Sequence, residues 1–214
     1  MTRPLLDAHA STAPVRPKTE KISAVAVALI MAGALAAIFL TWPIPAAIPP
    51  TVAAIVAYAA WIKTTYAHPV KSRKVIATFL CAVAFQFIHL AEEYLGGFPH
   101  QIVVLFHTPR DWGEKSFLLW TVFGMGAVLA LAAAGALYQI RVANYWLWFY
   151  ALGLGLVNAI AHFIFPFIKG GYFPGLYTAA GHLIMSILLI YFLLQENRRL
   201  RSGAAQQHSH RPPR

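Results

Sequence analysis

VIATFLCAVAFQFIHLAEEYL, residues 75–95, sets the frame for the whole chain. Up to Ala91 its only ionisable side chains are Cys81 and His89; Glu92 and Glu93 then follow side by side. At about 1.5 Å per residue such a run is about 30 Å long, the thickness of a bilayer's hydrocarbon core. Lipid offers no partner to stray backbone groups, so the run is expected to be a helix rather than a strand. An imidazole and two carboxylates are costly inside that helix and need partners from elsewhere in the chain. The same stretch therefore poses both the architectural and the chemical question.

Five further apolar runs, 22–42, 46–61, 117–138, 144–168 and 174–194, have comparable length, the second being the shortest. Of all residues 59% are hydrophobic and only 11% charged, against about a quarter charged in soluble domains; the mean hydropathy is +0.60. The fold class expected is all-α, a polytopic membrane bundle of about six helices spanning 22–196, between a polar tail at 1–21 and a basic tail at 197–214. Ala34-Leu35-Ala36 imitates a signal-peptide cleavage site, but the apolar stretch continues to Leu40, so a retained helix is expected. The longest connection, 96–116, holds an apolar patch at 102–106 that is expected to dip back as a re-entrant piece or lid.

The formal net charge is +10, from 17 Lys and Arg against 7 Asp and Glu. These basic residues sit almost wholly in tails and connections: alternate segments hold 14 on one side and 3 on the other. That asymmetry puts both termini in the cytoplasm and argues for membrane topology rather than nucleic-acid contact. Cys81 is the single cysteine, which excludes an intrachain disulfide and any Cys-rich metal site. The expected location is a bacterial cytoplasmic membrane, with the lipid bilayer as the main partner.

Five ionisable residues lie clearly within the spans: His89, Glu92 and Glu93 on the third, His162 on the fifth and His182 on the sixth. Counted along their helices, Glu92, His89, His162 and His182 fall about 5–12 Å from the outer end. At about 100° per residue, Gln86, His89, Glu92 and Glu93 share one arc. Asn158 shares a face with His162, and Thr178, His182 and Ser186 share another. A single polar chamber in the outer half of the bilayer satisfies all these vectors. The other three spans read as scaffold packed through small residues such as Gly33, Ala37, Gly124 and Ala132.

No Lys or Arg lies at this level, so the paired carboxylates require histidinium, protonation or a bound cation. Three His and two Glu suit one divalent metal ion, zinc favoured over iron or manganese. The expected ligands are His89, Glu93, His162 and His182, with Glu92 and Glu93 as catalytic carboxylates; which of the two is ligand and which is base stays open. Gln86, Asn158 and Thr178 are the expected supporting partners. His68, His100, His107, His208 and His210 fall in connections or tails and are read as solvated, with His107 and Asp111 placed to close over the chamber.

His89-Leu90-Ala91-Glu92-Glu93 matches the pattern that names the HXXEE-domain family. Asn158-x-x-x-His162 and the segment from Tyr172 through Pro174-Gly175 to Ala179, followed by His182, resemble that family's second region. The resemblance covers the third helix through the sixth. It implies a small multi-pass membrane protein and supports the site without assigning a reaction. A fainter similarity links the Glu-Glu pair and later Asn and His to the membrane-embedded CAAX-protease-like family; Gly97 stands where that family places an Arg.

The function expected is that of a metal-dependent membrane enzyme, foremost a hydrolase acting on a hydrophobic or lipid-linked substrate, with an iron-dependent oxidoreductase as second choice. The competing classes are a proton- or cation-coupled transporter and a metal-free acid–base isomerase or cyclase on an isoprenoid chain. For the last, Trp120, Phe163, Phe165 and Phe167 are the candidate cavity lining. Against transport stand the off-centre depth of the cluster and the lack of inverted repeats.

Overall fold

A computed structural model describes residues 19–67 and 69–209, with side chains described from 24 to 202. Most of the 1–21 segment, His68, His210 and the His208 side chain lie outside the described residues. Among those described there are seven helices and no strand: α1 Thr19–Thr41, α2 Ile44–Lys63, α3 Arg73–Leu95, α4 Phe98–Leu105, α5 Glu114–Leu137, α6 Ala143–Lys169 and α7 Leu176–Ser209. All but α4 are long and apolar enough to cross a membrane, which makes this a multi-pass helical bundle. Consecutive spans run in opposite directions, so Trp42, Leu95 and Lys169 mark one end of the bundle and Lys63 and Arg73 the other.

Helix boundaries follow local chemistry. Pro43 precedes α2 and Pro45 occupies its first turn, where a missing N–H costs nothing. Gly97 (φ 72°) and Gly170 (φ 81°) take the left-handed conformation that ends α3 and α6. The expected basic tail behaves differently at its start: α7 runs on to Ser209. Gln195 to Arg201 contains good helix formers and no breaker. Buried Glu196 accepts a bond from the Lys71 N–H (3.1 Å), and Arg201 donates to the Lys63 carbonyl (3.0 Å), tying this extension to the bundle.

Helix α7 lies between α3 and α6; α2 packs on α6, α5 on α3, and α1 mainly on α2. Small residues permit the closest approaches. A Cβ on Gly153 would lie 2.8 Å from the Ala53 Cβ, and one on Gly155 2.7 Å from the Ser186 Cβ. Gly33 does not play this part: a Cβ there would meet nothing, because α1 is barely packed beyond α2. Ala132, by contrast, is buried as expected.

Two apolar clusters result. The larger contains Trp61, Phe79, Tyr145, Trp148 and Leu189, toward the Lys63 end. The smaller holds Trp42, Leu90, Phe98, Trp112, Phe117 and Phe173 at the opposite end. The 102–106 patch belongs to α4, whose buried Phe98 and Ile102 join that smaller cluster. Two stretches, Leu118–Gly124 in α5 and Tyr150–Val157 in α6, are π-helical. Such wide turns are rare and cluster at functional sites; these two flank the polar chamber.

Candidate metal centre

Helix α3 brings His89 and Glu93 to one face, four residues apart, with the His89 Nε2 3.3 Å from the Glu93 Oε1. From α6, the His162 Nε2 reaches the same carboxylate oxygen at 3.1 Å, but without hydrogen-bond alignment. His89, Glu93 and His162 are all buried, and one ligand atom from each lies within 4.8 Å of the others. The two imidazoles meet edge to face, with ring centroids 4.7 Å apart.

The hydrogen-bond chain behind His89 fixes what it presents. The Thr178 hydroxyl donates to the Glu92 Oε2 at 2.6 Å, so its remaining role toward the His89 Nδ1, also at 2.6 Å, is to accept. His89 therefore carries its proton on Nδ1 and turns the Nε2 lone pair toward Glu93, where the Asn158 amide approaches it at 2.9 Å. The His89 Nε2 lone pair and the Glu93 carboxylate facing one another repel, an arrangement that favours a cation beside them. Two His and one carboxylate form a group able to hold a metal ion.

Glu92 points elsewhere. Its Oε1 accepts from the Tyr172 hydroxyl (3.0 Å) and the N–H groups of Gly175 and Tyr177 (both 3.1 Å). Its Oε2 accepts from the Thr178 N–H (2.9 Å) as well as the Thr178 hydroxyl. Those are the unpaired N–H groups at the start of α7, where a carboxylate is favoured by geometry and by the helix dipole. Burial, and then the adjoining Glu92 carboxylate, push the Tyr172 hydroxyl up to about 12, which keeps it a donor.

Gly175 joins the two halves. It has φ +90°, and a Cβ there would stand 2.4 Å from the His162 Cε1 and Nδ1 and 2.9 Å from the His89 Cε1. Only glycine fits both the backbone conformation and the space. His182, on α7, meets His89 edge to face with centroids 4.4 Å apart. Its Nδ1 is 3.0 Å from the Tyr150 hydroxyl, which donates to the Ala82 carbonyl at 2.9 Å. Among the described residues the buried His182 Nε2 has no partner, yet His182 is not among the three residues whose ligand atoms converge.

A largely apolar cavity of about 290 Å³ opens beside this group. Glu93, Asn158 and Gln86 line it; the three His lie behind them, fully buried. Ser186 stays out of the chamber and donates to the Ala151 carbonyl in the π-helical stretch. Of the aromatic residues expected to line a cavity, Phe165 does so, whereas Trp120 and Phe167 are exposed and Phe163 is not part of the wall. His107 and Asp111 are exposed and do not close over the chamber. Phe98 and Trp112 do, Phe98 lying 5.4 Å from the His162 ring. Tyr150, Phe98, Trp42 and Trp112 carry no motif, and nothing in the linear sequence singles them out.

Fold and site together define a multi-pass helical membrane protein with a buried His/Glu cluster shared by three helices. The chain belongs to the family described as protein of unknown function with HXXEE motif, whose model matches residues 79–191. No curated protein and no solved structure matches it.

Proposed function

We propose that the protein is a metal-dependent integral membrane enzyme, a hydrolase acting on a lipid or lipid-linked substrate. One observation carries this reading: buried His89, Glu93 and His162 each bring a ligand atom within 4.8 Å of the others at the wall of an apolar cavity. A single divalent ion, zinc foremost, resolves that arrangement, and three protein ligands leave a position free for substrate. When bound, such an ion polarises a carbonyl or phosphoryl oxygen.

The chain's own residues supply the rest. Glu93 is the one member of the three that also lines the cavity, so it is the group placed to move a proton to or from a bound molecule. His89 is held in a single tautomer by Thr178 and Glu92, and Asn158 and Gln86 offer polar contacts to whatever enters. Glu92 acts by positioning. His182, braced by Tyr150, is the nearest additional imidazole for the ion. Positive-inside asymmetry puts this end of the bundle outside, in a bacterial cytoplasmic membrane.

Elemental analysis of detergent-purified protein tests the reading. About one metal per chain is expected, lost in His162→Ala and Glu93→Gln and kept in His208→Ala. Protein purified without chelators and free of metal would overturn it. The hydrolytic half is checked by release of fatty acid or phosphate from a membrane-lipid extract, present in the metal-loaded protein and absent in Glu93→Gln.

A further inference from the structure

The cavity extends well beyond the metal group. On α1 it is walled by Val27, Ile30, Met31, Ala34, Leu35 and Ile38, one face of a helix at i, i+3, i+4, i+7, i+8 and i+11. On α6 its wall runs from Tyr145 near the Lys63 end to Phe165 near the other. Between Val27 and Trp42 it spans about 22 Å of helix rise, more than half of a hydrocarbon core about 30 Å thick. A space of about 290 Å³ drawn out over that length is one chain wide.

Four buried polar atoms belonging to residues of this wall have no partner among the described residues: the Gln86 Oε1, the Thr121 Oγ1 and the Nε1 of Trp42 and Trp112. Unmade hydrogen bonds of this kind are costly, and four along one cavity point to a ligand with polar groups. The two indoles lie 4.6 Å apart, and one ring, Phe98, separates Trp112 from His162. Arg110 donates to the carbonyls of Phe39 and Trp42 (2.6 and 2.9 Å), fastening the loop before Trp112 to the end of α1. Both indole N–H groups are donors only, so a head that engages them must offer acceptor oxygens.

We propose that the cavity binds a single-chain lipid, its oxygen-bearing head held by the Trp42 and Trp112 N–H groups beside Glu93 and Asn158, its tail running between α1 and α6 toward Val27. This rests on the reading of the site as an enzyme centre and specifies its substrate class. The cavity holds one chain along its length, so single-chain lipids are expected to bind ahead of diacyl ones. Thin packing of α1 beyond α2 provides the lateral way in from the bilayer.

Photo-crosslinking in nanodiscs tests it. The probes are palmitic acid and palmitoyl-lysophosphatidylcholine, each with a terminal diazirine, compared with a diacyl phosphatidylcholine carrying the same group. Peptide mapping is expected to find the single-chain probes on the cavity face of α1 and on α6, several-fold above the diacyl probe. Ala34→Phe, on a helix free enough to accept it, should reduce that labelling several-fold. Trp42→Phe with Trp112→Phe removes two N–H donors, together with part of each ring, and should weaken competition by unlabelled lysolipid by at least about tenfold, as expected for two neutral hydrogen bonds. Equal labelling by the diacyl probe, or labelling confined to outward faces, would overturn the proposal. Cavity labelling in a metal-free wild type would sink the metal reading alone, and bound metal without labelling would sink this one alone.

Discussion

Glu92→Gln separates a positioning carboxylate from a reacting one. The wild-type side chain accepts five hydrogen bonds, three at Oε1 and two at Oε2. Glutamine keeps the shape but turns one oxygen into a donor. Even with its carbonyl facing the three donors from Tyr172, Gly175 and Tyr177, its NH₂ meets the Thr178 N–H donor to donor. Bonds to a charged acceptor contribute about 1.5–3 kcal/mol each when buried, and the charge at the start of α7 contributes about 0.3–1 kcal/mol. Discounted for the partial exposure of Glu92, the loss comes to about 2–4 kcal/mol. By the scaling for a chain of this size, the unfolding midpoint falls by about 5–15 °C, measured by light scattering or tryptophan fluorescence in detergent. Metal affinity should drop about 10–100-fold, because Thr178 no longer holds His89 in place. A variant of unchanged midpoint with activity abolished would place Glu92 in the reaction and refute the reasoning.

Three further outcomes follow from the same geometry. Gly175→Ala forces a left-handed alanine, about 1–2 kcal/mol, and drives a methyl into the His162 and His89 rings, about 1–3 kcal/mol more; a lower midpoint together with lost metal is expected by thermal unfolding and elemental analysis. Tyr150→Phe removes a second donor from the Ala82 carbonyl and leaves the His182 Nδ1 unpaired, costing about 1–3 kcal/mol, readable in the same unfolding assay. Chelation should destabilise the wild type by about 2.7 kcal/mol when the metal had been present at a hundred times its Kd, while leaving His162→Ala unaffected; equal response of the two proteins would count against the metal.

The six spans were legible because lipid imposes a length and a composition on every crossing helix, and both can be read along the chain. So was the meeting of His89, Glu93 and His162, since depth and helical phase follow from counting residues. Glu92 shows where counting stops. It sits only about 100° from its neighbour, within the arc assigned to one chamber, but the donors that claim it belong to the start of α7, whose position depends on a turn through Pro174 and Gly175. Trp42, Trp112 and Phe98 were illegible for a related reason: aromatic residues at the end of a span look alike in sequence whether they face lipid, core or cavity. The π-helical stretches changed the phase of α5 and α6 in ways a fixed 100° step does not anticipate.

The doublet in the motif thus combines two devices one residue apart. His89 and Glu93 stack on the inward face of α3 and offer lone pairs to a common point. Glu92 turns sideways and anchors the first turn of α7, and through that turn it places Thr178 on the His89 Nδ1 and Gly175 against both imidazoles. Neither device suffices alone: without the anchor, only the His89–Thr178 bond joins α3 to the start of α7, and the Thr178 hydroxyl, released from Glu92, is free to donate to His89 where it must accept. Two carboxylates that would repel in one chamber are kept useful because one of them is neutralised by the N–H groups of a helix terminus. Aspartate at position 92 retains the charge but is one methylene shorter, so it should recover only part of the stability that glutamine loses; full recovery would mean that charge, rather than the reach to Thr178, secures the joint.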